Sequence, residues 1–229
     1  MKARKNMTFY GHTNESLQGI RTGLQAGPDD TVLAICGSGD QAFMLLEYAK
    51  RVIAIDNNPA QVEYAKERAS DLRGGNVGMF VYAPALDYEF REAYAERNRY
   101  LGTHAPDIRE NIENIEFHVA NIAALPDHIA NTRFTRFYLS NVLEYASETY
   151  LLKAEHGTGF LRALAGAPDG ARVYSAGADD DRPSIFRNFG FHYDREASRR
   201  AREFETEWWP FVYVKDSTRV CEERGALRF

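Results

Sequence analysis

One stretch constrains this chain more than any other. A short apolar run, Thr31-Val32-Leu33-Ala34-Ile35-Cys36, breaks at Gly37-Ser38-Gly39-Asp40, and a second apolar run, Arg51 to Ile55, ends on Asp56. Runs that are almost wholly apolar and partly β-branched read as strands buried on both faces of a parallel sheet. Between them Ala42, Leu45, Leu46 and Ala49 recur at three and four residues, the spacing of a helix packed by one face. Pro59 suits the first turn of a second helix, with Asn58 as its N-cap and Val62, Ala65 and Ala69 on one side. Strand, helix, strand, helix joined by right-handed crossovers predicts an α/β fold with a Rossmann-like, doubly wound, mostly parallel sheet.

The rest of the chain supplies further elements. Strands are expected at Ile115 to Val119, Phe134 to Leu139 and Ala171 to Ser175, with an aromatic closing strand near Trp209 to Val214. Residues 13–27 read as a polar helical lead-in, Arg195 to Arg202 as a basic amphipathic segment, and Glu148 to Leu164 as a helix interrupted by Gly157 and Gly159. Aromatic residues interleaved with charges after Gly74 predict a helical insertion around residues 76–112 that covers a site or an interface. With 44% apolar residues, all 229 residues are expected to form a single domain.

Charge and cysteine usage narrow the classes. The 28 basic and 33 acidic residues are mixed along the chain and leave a net −5, so no positive field gathers polyanions and nucleic acid is not an expected partner. No apolar run approaches the roughly 18 residues of a membrane span, no secretory signal is visible, and a cytoplasmic location is expected. The two cysteines and six histidines are scattered, which implies neither a disulfide framework nor a metal. Oligomeric state is open, a homodimer included.

In an open parallel sheet, ligands sit beyond the carboxyl ends of the strands. Gly37 and Gly39 let the first loop curl round a ligand. Asp56 is placed to accept from two ribose hydroxyls, with Asn57 beside it, and Asn121 to face an adenine amine with Ile122 against the ring. Ser140 and Asn141, then Glu144 and Tyr145, follow the fourth strand where a second substrate would enter. The same glycines satisfy the dinucleotide pattern G-x-G-x-x-G/A, here Gly37 to Ala42. A carboxylate at Asp40 repels pyrophosphate at the helix start and attracts a sulfonium and an ammonium, which favours S-adenosylmethionine (SAM) over NAD. The candidate cofactor set is Cys36, Gly37, Ser38, Gly39, Asp40, Asp56, Asn57, Asn121, Ile122, Ser140 and Asn141, with Cys36 read as packing at the strand end. His12 and His118 read as structural, and Asp179-Asp180-Asp181-Arg182 as a solvated loop.

Three stretches are similar to a known family: Val32 to Phe43, Val52-Ile53-Ala54-Ile55-Asp56-Asn57-Asn58-Pro59-Ala60-Gln61, and Tyr138-Leu139-Ser140-Asn141-Val142-Leu143-Glu144-Tyr145. They resemble the S-adenosylmethionine:diacylglycerol 3-amino-3-carboxypropyl transferases of betaine-lipid synthesis, a branch of the class I SAM-dependent methyltransferase fold. The resemblance implies that the first loop and Asp56 hold SAM and that Ser140-Asn141 borders the reacting end. It further implies transfer of the aminocarboxypropyl group to a small-molecule acceptor, with release of methylthioadenosine. Glu144 is the candidate base for the acceptor's proton, and Tyr145 and Tyr10 shape the pocket. A SAM-dependent small-molecule methyltransferase and a non-catalytic SAM-binding protein remain as alternatives.

Overall fold

Residues 10–82, 91–145, 158–180, 183–205 and 207–218 are described by the structure, a computed structural model. One seven-stranded sheet organises them. Its strands are β1 (Thr31–Ile35), β2 (Arg51–Asp56), β3 (Ile115–Val119), β4 (Arg136–Tyr138), β5 (Arg172–Gly177), β6 (Phe191–Tyr193) and β7 (Trp209–Lys215), in the order β3-β2-β1-β4-β5-β7-β6. The pairs among β1 to β5 are parallel, whereas β7 runs antiparallel to both β5 and β6. The winding reverses between β1 and β4, so a crevice opens there at the carboxyl edge, as the sequence predicts for a doubly wound sheet. β6 was not foreseen: three residues are too few to display an alternation.

The helices are α1 (Leu17–Leu24), α2 (Asp40–Leu46), α3 (Pro59–Arg73), α4 (Val77–Val81), α5 (Arg91–Glu110), α6 (Asp127–Ala130), α7 (Val142–Tyr145), α8 (Thr158–Gly166) and α9 (Arg195–Arg202). They cover both faces of the sheet. Val32 and Ala34 of β1 point into one core with side chains of α1, α2, α3, α5 and α9, while Leu33 points into the other with α6 and α8. This two-sided burial is why β1 has no polar alternation. Among the described residues, no helix is long and apolar enough to cross a membrane.

Three local features position the site. α1 is shorter than the expected lead-in: the Ser16 side chain caps it by accepting from the Gly19 amide at 3.1 Å, and Gln25 leaves it in a left-handed conformation with φ 51°. Residues 10–16 therefore run as a loop over the carboxyl edge of the sheet. Asn58 caps α3 through the Ala60 amide at 2.9 Å, with Pro59 in the first turn. Gly159 lies inside α8 and does not break it; a Cβ there would stand 2.5 Å from the Leu125 carbonyl oxygen. The rest of the helix expected from Glu148 lies outside the described residues.

Gly159 is thus a packing contact between α8 and the turn at Leu125. Gly159→Ala is expected to lower stability by about 1–3 kcal/mol through overpacking, despite alanine's higher helix propensity. Urea unfolding checks this, and a neutral or stabilised variant contradicts it.

Candidate functional site

The loops after β1 to β4 surround a cavity of about 570 Å³, within the range of small-molecule sites. Gly37 stands at its floor with φ 47°, and a Cβ built there meets nothing within 4 Å, so the backbone itself forms an open cradle. Asp56, at the end of β2, accepts from the Gly37 amide at 3.0 Å and the Asn58 amide at 2.9 Å. Burial raises its pKa, and those two amides oppose the rise. Each oxygen keeps a further lone pair. Gln61 joins this loop to the N-terminal segment: its Nε2 donates to the Gly37 carbonyl at 2.7 Å and the Tyr10 carbonyl at 3.0 Å, and its Oε1 accepts from the Tyr10 amide at 3.0 Å. The spacing Asp-x-Asn-Pro-x-Gln is therefore one device: a carboxylate on the cavity wall, a helix cap and a loop clasp.

Asp40 departs from the sequence reading. It does not line the cavity, and its side chain is fully buried. Its carboxylate pairs with Arg68 at 2.7 Å and Arg97 at 2.6 Å and accepts from the Thr13 amide and the Ser38 hydroxyl, both at 2.8 Å. Burial pushes its pKa up, but Arg68 and Arg97 together hold it well below the usual carboxylate range. It has no share left for a bound cation. Cys36 is likewise fully buried and off the cavity wall, its thiol pushed far up by burial and by Asp56. What carries the cavity's charge is different. Asp56 and Glu15 line it, and no Lys or Arg does among the described residues.

Nothing in the spacing of the sequence marks Glu15. The loop before α1 brings it to the cavity wall, 4% exposed, where its Oε1 accepts from the Tyr138 hydroxyl at 2.8 Å and from the Ser140 hydroxyl. Oε2 has no partner. Burial lifts its carboxyl from the ordinary 4.5 to about 7 against the lowering effect of those hydrogen bonds. Glu205, after α9, accepts from the Ser16 amide at 2.8 Å and the Tyr174 hydroxyl at 3.3 Å, and burial together with Glu15 lifts it to about 8. Ser140 takes a left-handed φ of 51°, a strained state for a serine that turns its hydroxyl to Glu15.

The remaining expected residues fall as follows. Gly37, Ser38, Asp56, Asn57, Asn121, Ile122, Ser140, Asn141 and Tyr10 all line the cavity. Gly39 does not; its φ of 90° sets the start of α2, and a Cβ there would meet Phe43 at 2.8 Å. Asn121 Oδ1 also caps the turn Ile122–Ala124 through the Ala123 amide at 2.9 Å. α7 carries the backbone of Glu144 and Tyr145, whose side chains lie outside the described residues. His12 lines the cavity, whereas His118 does not. Thr13, Gln41 and Trp208 also line the wall and carry no signal in the sequence, while Gln61 and Tyr138, which line it too, stand in the stretches quoted for the family resemblance. Glu47, His104 and Asp107 could present three metal-ligand atoms, but none borders the cavity, and Glu47 already pairs with His104 at 3.0 Å and accepts from Tyr100 at 2.7 Å.

No protein-family model and no curated protein matches the sequence. Solved structures do. The N-methyltransferase NodS from Bradyrhizobium japonicum WM9 gives a TM-score of 0.50 at 12% identity, covering 87% of this chain and 93% of that one. The rRNA methyltransferase aviRa from Streptomyces viridochromogenes gives 0.50 at 17% identity, covering 94% of this chain and 88% of that one. This chain has the class I SAM-dependent methyltransferase fold.

Two stability measurements test the electrostatics of the site. Asp40→Asn leaves two buried guanidinium groups facing each other and is expected to cost about 3–5 kcal/mol in urea unfolding. Glu15 acts in the opposite sense. Its folded pKa of about 7 lies above its ordinary 4.5, so its contribution is fully present below about pH 4.5 and lost as pH rises through about 7. Glu15→Gln is therefore expected to be more stable than the wild type at pH 8, by up to about 3 kcal/mol, and the difference shrinks toward pH 5. A variant less stable at pH 8 would contradict the raised pKa.

Proposed function

We infer that the cavity binds SAM and that the protein is a SAM-dependent transferase. One observation carries this reading: the described wall of the cavity holds two carboxylates, Asp56 and Glu15, and no Lys or Arg. Such a wall disfavours a pyrophosphate, which needs amides and cations, and favours a nucleoside that is itself a cation. The residues present fit such a ligand. Asp56 meets the ribose diol, Asn57 and Asn121 border the base with Ile122 against its face, and the bare cradle at Gly37 admits the chain that leads to the sulfonium. Gln41 Oε1 is a buried acceptor with no partner, suited to an α-ammonium. Bound there, SAM supplies a carbon made electrophilic by its positively charged sulfur.

The likeness of Val32 to Phe43, Val52 to Gln61 and Tyr138 to Tyr145 to the aminocarboxypropyl transferases supports transfer of the 3-amino-3-carboxypropyl group to a small-molecule acceptor. In that reaction this chain's residues orient the acceptor along the carbon–sulfur bond and exclude water. Glu144 is the base proposed from sequence for the acceptor's proton. The same cavity serves methyl transfer, the activity named for both similar structures.

Calorimetry with S-adenosylhomocysteine (SAH), methylthioadenosine (MTA) and NADH is expected to show binding of the first two and none of the third. Asp56→Ala should weaken SAH by about 10- to 100-fold, the loss of charge-assisted hydrogen bonds to a diol. Mass spectrometry of SAM turnover separates the transferred groups, since MTA marks aminocarboxypropyl transfer and SAH marks methyl transfer. NADH binding without SAH binding would overturn the cofactor, and SAM binding with neither by-product for any acceptor would leave a non-catalytic binding protein.

A further inference from the structure

We propose that Glu15 is the acceptor-side catalytic residue of this cavity, which seats a primary or secondary amine at Oε2 and takes its proton, so that the transfer makes a carbon–nitrogen bond. This rests on the reading of the cavity as a SAM site. The first support is the state of the carboxylate. Tyr138 and Ser140 hold Oε1 and so fix the group's orientation, while Oε2 is buried at the cavity wall and has no partner. A buried carboxylate oxygen without a donor is costly until a ligand supplies one, and a charged N–H is the strongest such donor.

The second support is the wall as a whole. With no Lys or Arg among its described residues, the cavity obtains its counter-charge from the ligands that enter it. Gln41 Oε1, next to the Gly37–Asp40 loop, is a separate unpaired acceptor for the cosubstrate's own ammonium, which leaves Glu15 for the acceptor. Trp208 borders the same cavity, and the face of an aromatic ring attracts an ammonium.

The chemistry balances in protons and electrons. An acceptor ammonium gives one proton to Glu15 Oε2, and the nitrogen lone pair then forms a bond to the carbon on the sulfonium. That carbon's bond to sulfur breaks with its electron pair left on a neutral thioether. The product leaves as a substituted ammonium, and Glu15 passes its proton to solvent. Burial places the Glu15 carboxyl at about 7, where it is ionised at pH 8 and still basic enough to draw on an amine. The titratable and charged groups around it are Tyr138 of β4, Tyr174 of β5, Glu205 with Glu96 beyond it, and His12 on its own loop. The Asp40–Arg68–Arg97 cluster is tied to that loop through Thr13.

The test compares wild type, Glu15→Gln, Glu15→Asp and Glu144→Gln. SAH and MTA binding is measured by calorimetry, and SAM turnover is measured with equimolar panels of primary amines, alcohols and thiols. Expected are N-linked products from the amine panel alone and SAH affinity within about threefold of wild type in Glu15→Gln. Turnover in that variant should fall about 100-fold or more, without the acid limb near pH 7 that the wild type shows. Independent of turnover, the ¹³C carboxyl resonance of Glu15 in the SAH complex, assigned by its loss in Glu15→Gln, should titrate at lower pH once benzylamine is added. Glu15→Asp, which keeps the charge, provides the comparison if Glu15→Gln does not fold. A tenfold loss of SAH affinity with MTA unchanged would assign Glu15 to the cosubstrate and overturn the proposal. So would products from alcohols or thiols alone, loss of transfer in Glu144→Gln but not in Glu15→Gln, or a Glu15 resonance indifferent to benzylamine. Wild-type protein that binds neither SAH nor MTA removes instead the SAM reading beneath it.

Discussion

The Asp40 carboxylate, shut away from water between Arg68 and Arg97, sets the geometry on which the rest of the site depends. It joins four segments that are remote in sequence: α2 through its own backbone, α3 through Arg68, α5 through Arg97, and the loop before α1 through the Thr13 amide. Charges taken out of water tolerate few arrangements, because any slip leaves one of them unpaired at a cost of several kcal/mol. Arg68 also donates to the Phe80 carbonyl at 2.9 Å and the Ser38 carbonyl at 2.7 Å, so α4 and the glycine loop are held in the same register. The cluster specifies where loop 10–16 lies, and that loop carries Glu15.

A second consequence is a separation of charge by depth. The two guanidinium groups lie behind the glycine loop and are answered by Asp40, whereas the cavity wall in front presents Asp56 and Glu15. A ligand therefore meets an acidic surface although a positive cluster lies one layer away. Holding Glu15 and Glu205 in nearly dry surroundings, with Ser140 in a left-handed conformation beside them, works against folding. Strain and poorly satisfied charge are thus gathered at one end of a sheet whose two cores are otherwise well packed.

Much of this was legible in the chain. β1, the glycine loop, β2 and Asp56 follow from burial on both sides of a parallel strand and from the backbone freedom of glycine. The turn formed by Asp56, Asn58 and Pro59 is local, and the Asp-x-Asn-Pro-x-Gln spacing is visible, whereas the partners of Gln61, Gly37 and Tyr10, lie 24 and 51 residues away. Arg68 and Arg97 left a fainter trace. Gln61, Ala65, Arg68 and Leu72 share one stripe of α3, and Arg97 stands one turn before Leu101 on the stripe that continues to Ala105 and Ile108. A basic residue on a buried stripe signals a buried partner, but nothing in the spacing of either helix identifies that partner as Asp40. Read alone, Asp40 is an acid at a helix start, and its charge looks available to a ligand.

By itself, then, the sequence determined the fold class, the edge of the sheet where the cavity opens and the acid after β2, because periodicity, glycine and turn chemistry act over a few residues. Only the tertiary structure decided the charge of the cavity. It neutralised Asp40 with arginines 28 and 57 residues further on, and it delivered Glu15 to Tyr138 and Ser140 across more than a hundred residues of chain. The reason is physical: an ionised side chain takes its meaning from whatever lies within a few ångströms, and those neighbours are chosen by how helices and loops pack, not by their order along the chain.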